Sequence, residues 1–236
     1  MRSLLRVPAD GPGFDRALRS GADALVLDPG GALALIEAAR DAEGRRCLLV
    51  RVDAREAGLT DDLAAVMPGA PDGIVLAGAV GGADVQRLGA MLAVWEAELG
   101  LEDGATAILA VVGCARGVLA AGTLAGASPR LIGVAWDGDA LAASLGAEAA
   151  RDEAGALIEP CRHARLTALL AAAAAGVPAV DMAHGSDDLV ALERECREAE
   201  RDGFTAKMAT HPAQVSVINQ VFAAPAERVP RNRPRS

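Results

Sequence analysis

Eight short runs rich in aliphatic and β-branched residues punctuate the chain: Ser3–Pro8, Ala24–Asp28, Cys47–Asp53, Gly73–Gly78, Ala105–Val112, Leu131–Trp136, Pro178–Ala183 and Phe204–Ala209. Leu25–Leu27, Leu48–Val50 and Ile108–Val112 are apolar without interruption. A strand covered on both faces needs that continuity, whereas a strand with one wet face alternates. Between the runs, Leu33–Ala42, Asp84–Leu99, Arg162–Ala175 and Asp187–Arg201 have helical character. Asp61, Asp84 and Ser186 stand near helix starts, where a side-chain oxygen can accept from free N–H groups. Gly21, Gly100, Gly176 and Gly203 stand where helices should stop, as left-handed caps. Repeated β/α units of this number predict a single α/β domain, a (β/α)8 TIM barrel, in preference to an open doubly wound sheet. No G-x-G-x-x-G follows the first run, and Gly11–Gly13 reads as a turn, so dinucleotide binding is not indicated.

Composition narrows this picture. A chain of 236 residues suits one barrel. We assign residues 1–224 to it and read the Pro/Arg-rich stretch 225–236 as a disordered tail, with a phosphate-gripping arm as the minor alternative. Aromatic residues make up only 2% of the chain and tyrosine is absent, so the interior must be packed from Ala, Leu, Val and Ile. The net charge of -9 argues against a general nucleic-acid surface, which needs a basic field. The four cysteines are far apart and form no C-x-x-C pair, so reduced thiols are expected. Arg6 and Pro8 interrupt the apolar N-terminus before a signal-peptide core can develop, and Leu166–Val180 is too short for a membrane span and contains Gly176 and Pro178. The expectation is a cytoplasmic protein.

Five ordered segments carry a more specific signal: Arg2–Pro8, Gly21–Asp28, Val50–Val52, Ala115–Val118 and Gly203–Gln214. They resemble the opening, second and third strands, the A-R-G helix start and the last strand of the citrate lyase beta subunit and malyl-CoA lyase group, the HpcH/HpaI aldolase family. The resemblance covers all but the arginine-rich tail. It implies a barrel of the phosphoenolpyruvate/pyruvate type, an oligomeric assembly, and carbon–carbon bond cleavage or formation between a CoA thioester enolate and a small keto acid. It also implies Mg, held by a glutamate after the fourth strand and an aspartate after the sixth, with an arginine in the third-strand V-R-V motif. Such groups offset the negative charge that develops on an enolate. The arginine is present as Arg51. The carboxylates are replaced: Val80 stands in the family's K-V-E-S segment and Ala140 in its E-D-L segment. Asp28–Gly31 replaces a D-L-E-D pattern, and Gly113 replaces the glutamate before A-R-G. The expectation is a citrate lyase beta subunit-like chain with a degenerate magnesium site. Two readings follow: a carbon–carbon lyase with altered metal use, or a non-catalytic relative that keeps the barrel as a ligand-binding, assembly or regulatory module.

Other candidates are weighed against plain structural roles. Arg51, at a strand end, can grip a substrate carboxylate or oxyanion, or pair with Asp28 or Asp53. Asp137, Asp139, Asp181 and His184 fall just beyond strand ends and are the possible substitutes for a metal site. The plainer reading makes Asp139 a helix cap and Asp181 an arginine partner. Lys207, the only lysine, is a conceivable Schiff-base nucleophile, but structural pairing is preferred. His211 before Pro212 fixes a turn, His163 is given no role, and Cys114 has no nameable histidine partner.

Overall fold

A computed structural model describes residues 1–7, 13–41, 46–54 and 58–223. The tail from 225, the turn residues Gly11 and Pro12, and the expected ends at Pro8 and Ala42 lie outside the described residues. Eight parallel strands close in chain order: β1 Ser3–Val7, β2 Ala24–Leu27, β3 Cys47–Asp53, β4 Gly73–Ala77, β5 Ala107–Val112, β6 Leu131–Trp136, β7 Ala179–Asp181 and β8 Ala206–Ala209. Closure is made by β1 against β8, with Ser3 opposite Lys207 and Leu5 opposite Ala209. The fold is therefore a (β/α)8 barrel. Around it run α1 Phe14–Leu18, α2 Ala32–Asp41, α3 Leu59–Val66, α4 Gly82–Leu99, α5 Ala115–Ala120, α6 Gly138–Leu145, α7 Glu159–Ala175, α8 Leu189–Asp202 and α9 Pro212–Val221. None of the described helices is long and apolar enough to cross a membrane.

Because side chains alternate across a strand, the sheet divides its apolar residues between two cores. Leu4, Ala24, Val26, Leu49, Val75, Leu109, Ala135, Val180 and Ala206 form a cluster drawn from strands alone, which fills the barrel. Their neighbours, among them Leu25, Val50, Ile74, Ile108 and Trp136, face the helices in the larger outer cluster. Alanine mixed with leucine and valine lets the inner layers interdigitate without aromatic bulk. This phase decides where each polar strand residue points: Arg51, two beyond Leu49, shares the inner face, whereas Asp181 and Lys207, next to Val180 and Ala206, face outward.

Helix C-termini follow the expected chemistry in most places, helix starts less so. Gly100 and Gly176 adopt φ of 68° and 70° at the ends of α4 and α7, a left-handed conformation in which a Cβ is strained. Gly203 likewise ends α8, but α1 already stops at Arg19, before Gly21. Asp61 lies inside the first turn of α3, whose cap is Gly58. For α8 the cap is Asp188, not Ser186, and its carboxylate accepts from the N–H groups of Val190 and Ala191. Asp84 sits within the first turn of α4 and reaches back to accept from the Val80 N–H at 2.8 Å.

An ion pair staples the loop before β5 to the approach to β6. Glu96 and Arg130, 1% and 8% exposed, are joined by two bonds of 2.7 Å. The carboxylate also accepts from the N–H groups of Gly104 and Thr106. Burial alone would raise the Glu96 pKa, but Arg130 and these N–H donors outweigh it and bring it down to about 2.

Candidate functional site

In a (β/α)8 barrel, binding groups gather where strands end and loops begin. Arg6 and Arg51 bring guanidinium groups to this mouth on the inner strand face. Arg6 is engaged with Asp28 at 3.2 Å. That takes up one of the two partners considered for Arg51, which is half-buried and makes no hydrogen bond or ion pair among the described residues.

Three of the positions where the resemblance implies carboxylates are Val80, Gly113 and Ala140. Val80 is half-buried in the loop from β4 to α4. Gly113, at the end of β5, lies directly against the start of α6: a Cβ built on it would be 3.1 Å from the Ala140 Cβ and 3.4 Å from that of Asp137. Carboxylates at 113 and 140 would therefore be side by side, whereas glycine and alanine present no oxygen there. Asp137 caps α6, its Oδ1 accepting from the Ala140 N–H at 3.0 Å. Asp139 is exposed in the first turn of the same helix, so its expected capping role passes to Asp137.

The four possible substitute ligands are not assembled at one point. Among the described residues no group of three His, Cys, Asp or Glu side chains converges as a metal cluster. Asp181, 4% exposed, faces the helix layer and accepts from Trp136 Nε1 at 2.8 Å, Lys207 Nζ at 3.0 Å and Arg165 Nε at 3.2 Å. Burial alone would push its pKa up, yet the Lys207 and Arg165 charges hold it below the usual carboxylate range. Arg165 in turn reaches Asp202 at 2.8 Å and lies 4.6 Å from the Phe204 ring centre. Asp181 is thus an arginine partner, and Lys207 is structurally paired beneath α8, outside the barrel lumen. A cavity of about 730 Å³ between α7 and α8 is lined by Trp136, Arg165, Leu166, Asp181, Glu195 and Phe204. It lies on the helix side of β7, away from the mouth.

His184, in the loop after β7, adjoins the Asp181 and Lys207 pair, because Lys207 Nζ is also 3.5 Å from Glu195 Oε2. The His184 Nε2 lies 2.8 Å from Ser186 Oγ and its Nδ1 3.0 Å from Glu195 Oε2. The second contact has the distance of an ion pair without the alignment of a regular hydrogen bond. Ser186 and Glu195 were not picked out as site residues by sequence reasoning; the H-x-S spacing is a faint signal for the first, and nothing local marks Glu195, which arrives from α8. His211 caps α9, its Nδ1 accepting from the Ala213 N–H, while Gln214 returns to the His211 N–H in a capping box. His163 is exposed on α7, and Cys114 is buried at the start of α5.

Comparison with known proteins bears on this geometry. A family described as HpcH/HpaI aldolase/citrate lyase matches residues 7–212. A citrate lyase subunit beta-like protein of Mycobacterium tuberculosis is 35% identical over 123 residues, 52% of this chain and 45% of that protein; the match spans less than half of that relative's length. The crystal structure of the M. tuberculosis protein CitE in complex with magnesium and acetoacetate superposes with a TM-score of 0.76 at 30% identity, covering 97% of this chain and 93% of the other. A CitE complex with magnesium, acetoacetate and coenzyme A gives a TM-score of 0.76 at 31% identity, covering 94% and 81%.

Proposed function

The chain belongs to the HpcH/HpaI aldolase/citrate lyase family, and from that premise we propose that its barrel mouth binds a small keto acid or its CoA thioester through Arg51 without a magnesium ion. The observation that carries this reading is the contact between Gly113 and Ala140. Magnesium is fixed by one or two carboxylates and keeps waters on its other positions. Gly113, Ala140 and Val80 supply no oxygen ligand, and the Asp137 carboxylate is already used as a helix cap. The donor set does not fit the cation that accompanies acetoacetate in the CitE complex.

What remains suits anion binding. Arg51 presents a planar fork of N–H donors that matches a carboxylate, at a site walled by strand ends where solvent competes less well than on an open surface. Arg6, held against Asp28, adds positive potential on the same inner face. Binding a carboxylate is within reach of these groups. Stabilising a thioester enolate demands a further positive centre close to the developing oxyanion, and no group at Gly113 or Ala140 supplies one. A ligand-binding relative is therefore favoured over a magnesium-dependent carbon–carbon lyase.

A thermal-shift panel of oxaloacetate, pyruvate, glyoxylate, CoA and acetyl-CoA, each with and without magnesium, tests the reading. Stabilisation by a keto acid that is equal in both conditions is expected. Stabilisation seen only with magnesium and ligand together would restore the lyase.

A further inference from the structure

We propose that Ser186, His184 and Glu195 form a serine-hydrolase triad that cleaves a small activated acyl group, an ester or a thioester. Ser186 Oγ is 2.8 Å from His184 Nε2, and His184 Nδ1 is 3.0 Å from Glu195 Oε2. A hydroxyl, an imidazole and a carboxylate in this order are the parts that acyl transfer by an activated serine requires, whatever fold supplies them. The exposure of each member suits its role: Ser186 is open to solvent, His184 is 7% exposed and Glu195 lies beneath it on α8.

The surroundings hold the three groups in place. Gln214 donates to the carbonyls of both His184 and Ser186, at 3.3 Å each, which clamps the two ends of the H-x-S turn. Glu195 is fixed through Oε1 by Arg151 at 2.9 Å, and its Oε2 lies between His184 and Lys207 Nζ, the latter at 3.5 Å. Ser186 Oγ accepts from the Asp188 N–H at 3.3 Å, which directs its own proton toward His184 Nε2. The N–H groups of Gly185 and Asp187, on either side of the serine, make no hydrogen bond among the described residues, so they are available to an acyl oxygen. The His184 to Glu195 contact lacks hydrogen-bond alignment at 3.0 Å; catalytic hydrogen bonds of this kind tighten once substrate is bound.

The chemistry closes without a metal. Ser186 Oγ attacks the acyl carbon as its proton passes to His184 Nε2. The carbon–sulfur or carbon–oxygen bond then breaks, and the leaving thiol or alcohol takes that proton. Water gives a proton to Nε2 and its hydroxyl to the acyl carbon, the bond to Oγ breaks, and Oγ recovers the proton. The net change is hydrolysis to a carboxylic acid and a thiol or alcohol. This inference stands apart from the keto-acid reading: it uses none of Arg51, Gly113 or Ala140.

The test is to treat the full chain with a fluorophosphonate probe and map the adduct by mass spectrometry, alongside hydrolysis of p-nitrophenyl acetate and of acetyl-CoA, the two arms separating ester from thioester. We expect one adduct, on Ser186, with turnover of at least one substrate. Ser186→Ala should remove labelling and lower turnover by about 100-fold or more. Glu195→Gln, checked for folding by its melting profile, should lower turnover by at least about 10-fold. Ser216→Ala, an exposed serine on α9, should change neither. A folded wild-type chain that gives no Ser186 adduct, or turnover that survives Ser186→Ala, overturns the triad.

Discussion

Arg51 and the Gly113 to Ala140 contact define the mouth at the scale of single residues. A carboxylate held by a guanidinium fork in a partly enclosed site is worth about 1.5–3 kcal/mol. Arg51→Ala should therefore weaken keto-acid binding by roughly 10 to 100-fold in Kd, measured by calorimetry, with the melting temperature of the unliganded protein nearly unchanged because Arg51 has no described partner to strand. The reverse change is equally specific. Gly113→Glu combined with Ala140→Asp puts two carboxylates where the Cβ positions are 3.1 Å apart, and magnesium titration should then show saturable binding that the wild type lacks. Failure of the double variant to bind magnesium while folded would argue that the two positions do not define a cation site. Lys207 makes a negative prediction: with Nζ 3.0 Å from Asp181 and the side chain 1% exposed, borohydride reduction with pyruvate should leave it unmodified. That Arg51 lies on β3, Val80 just after β4 and Ala140 just after β6 was legible in the sequence because apolar runs mark the strands. The outward phase of Asp181 was not, since it depends on which face of β7 carries Val180.

Among the elements, the staple between α4 and the loops flanking β5 is the most sensitive. Glu96→Ala removes the buried partner of the Arg130 guanidinium and leaves it only the exposed Asp103 carboxylate, so a loss of about 3 kcal/mol is expected in denaturant unfolding. Asp188→Ala removes a cap with two N–H groups on its carboxylate and should lower the melting temperature. The eight strands were read from the sequence almost to the residue because continuous apolar runs bounded by turn residues leave few alternatives. Helix starts were read less well. Asp61 and Ser186 are good capping residues that lie three and two places from the caps actually used, Gly58 and Asp188, and the choice among nearby residues is made by tertiary packing that periodicity does not encode. Glu96 shows the same limit: it sits in an amphipathic helix like any surface glutamate, and only the arrival of Arg130 from 34 positions along the chain reveals it as buried.

For the molecule as a whole, these carboxylates set the response to acid. The Glu96 pKa is lowered from an ordinary value of 4.5 to about 2. The stability it lends is complete above its unfolded value and is lost as pH falls from about 4.5 toward 2. Asp181 is shifted in the same direction, so its contribution is lost on the same side. Melting temperatures recorded from pH 6 down to pH 2 should fall steeply below about pH 4.5, and Glu96→Gln should flatten that fall. A closed barrel shows the fold and the family, while the chemistry at its mouth rests on particular side chains. The most direct measurement is calorimetric titration of oxaloacetate into the wild-type protein, once in excess EDTA and once in millimolar magnesium. Metal-independent binding through Arg51 predicts the same Kd in both titrations and its loss in Arg51→Ala. Binding that appears only in the magnesium titration would contradict it.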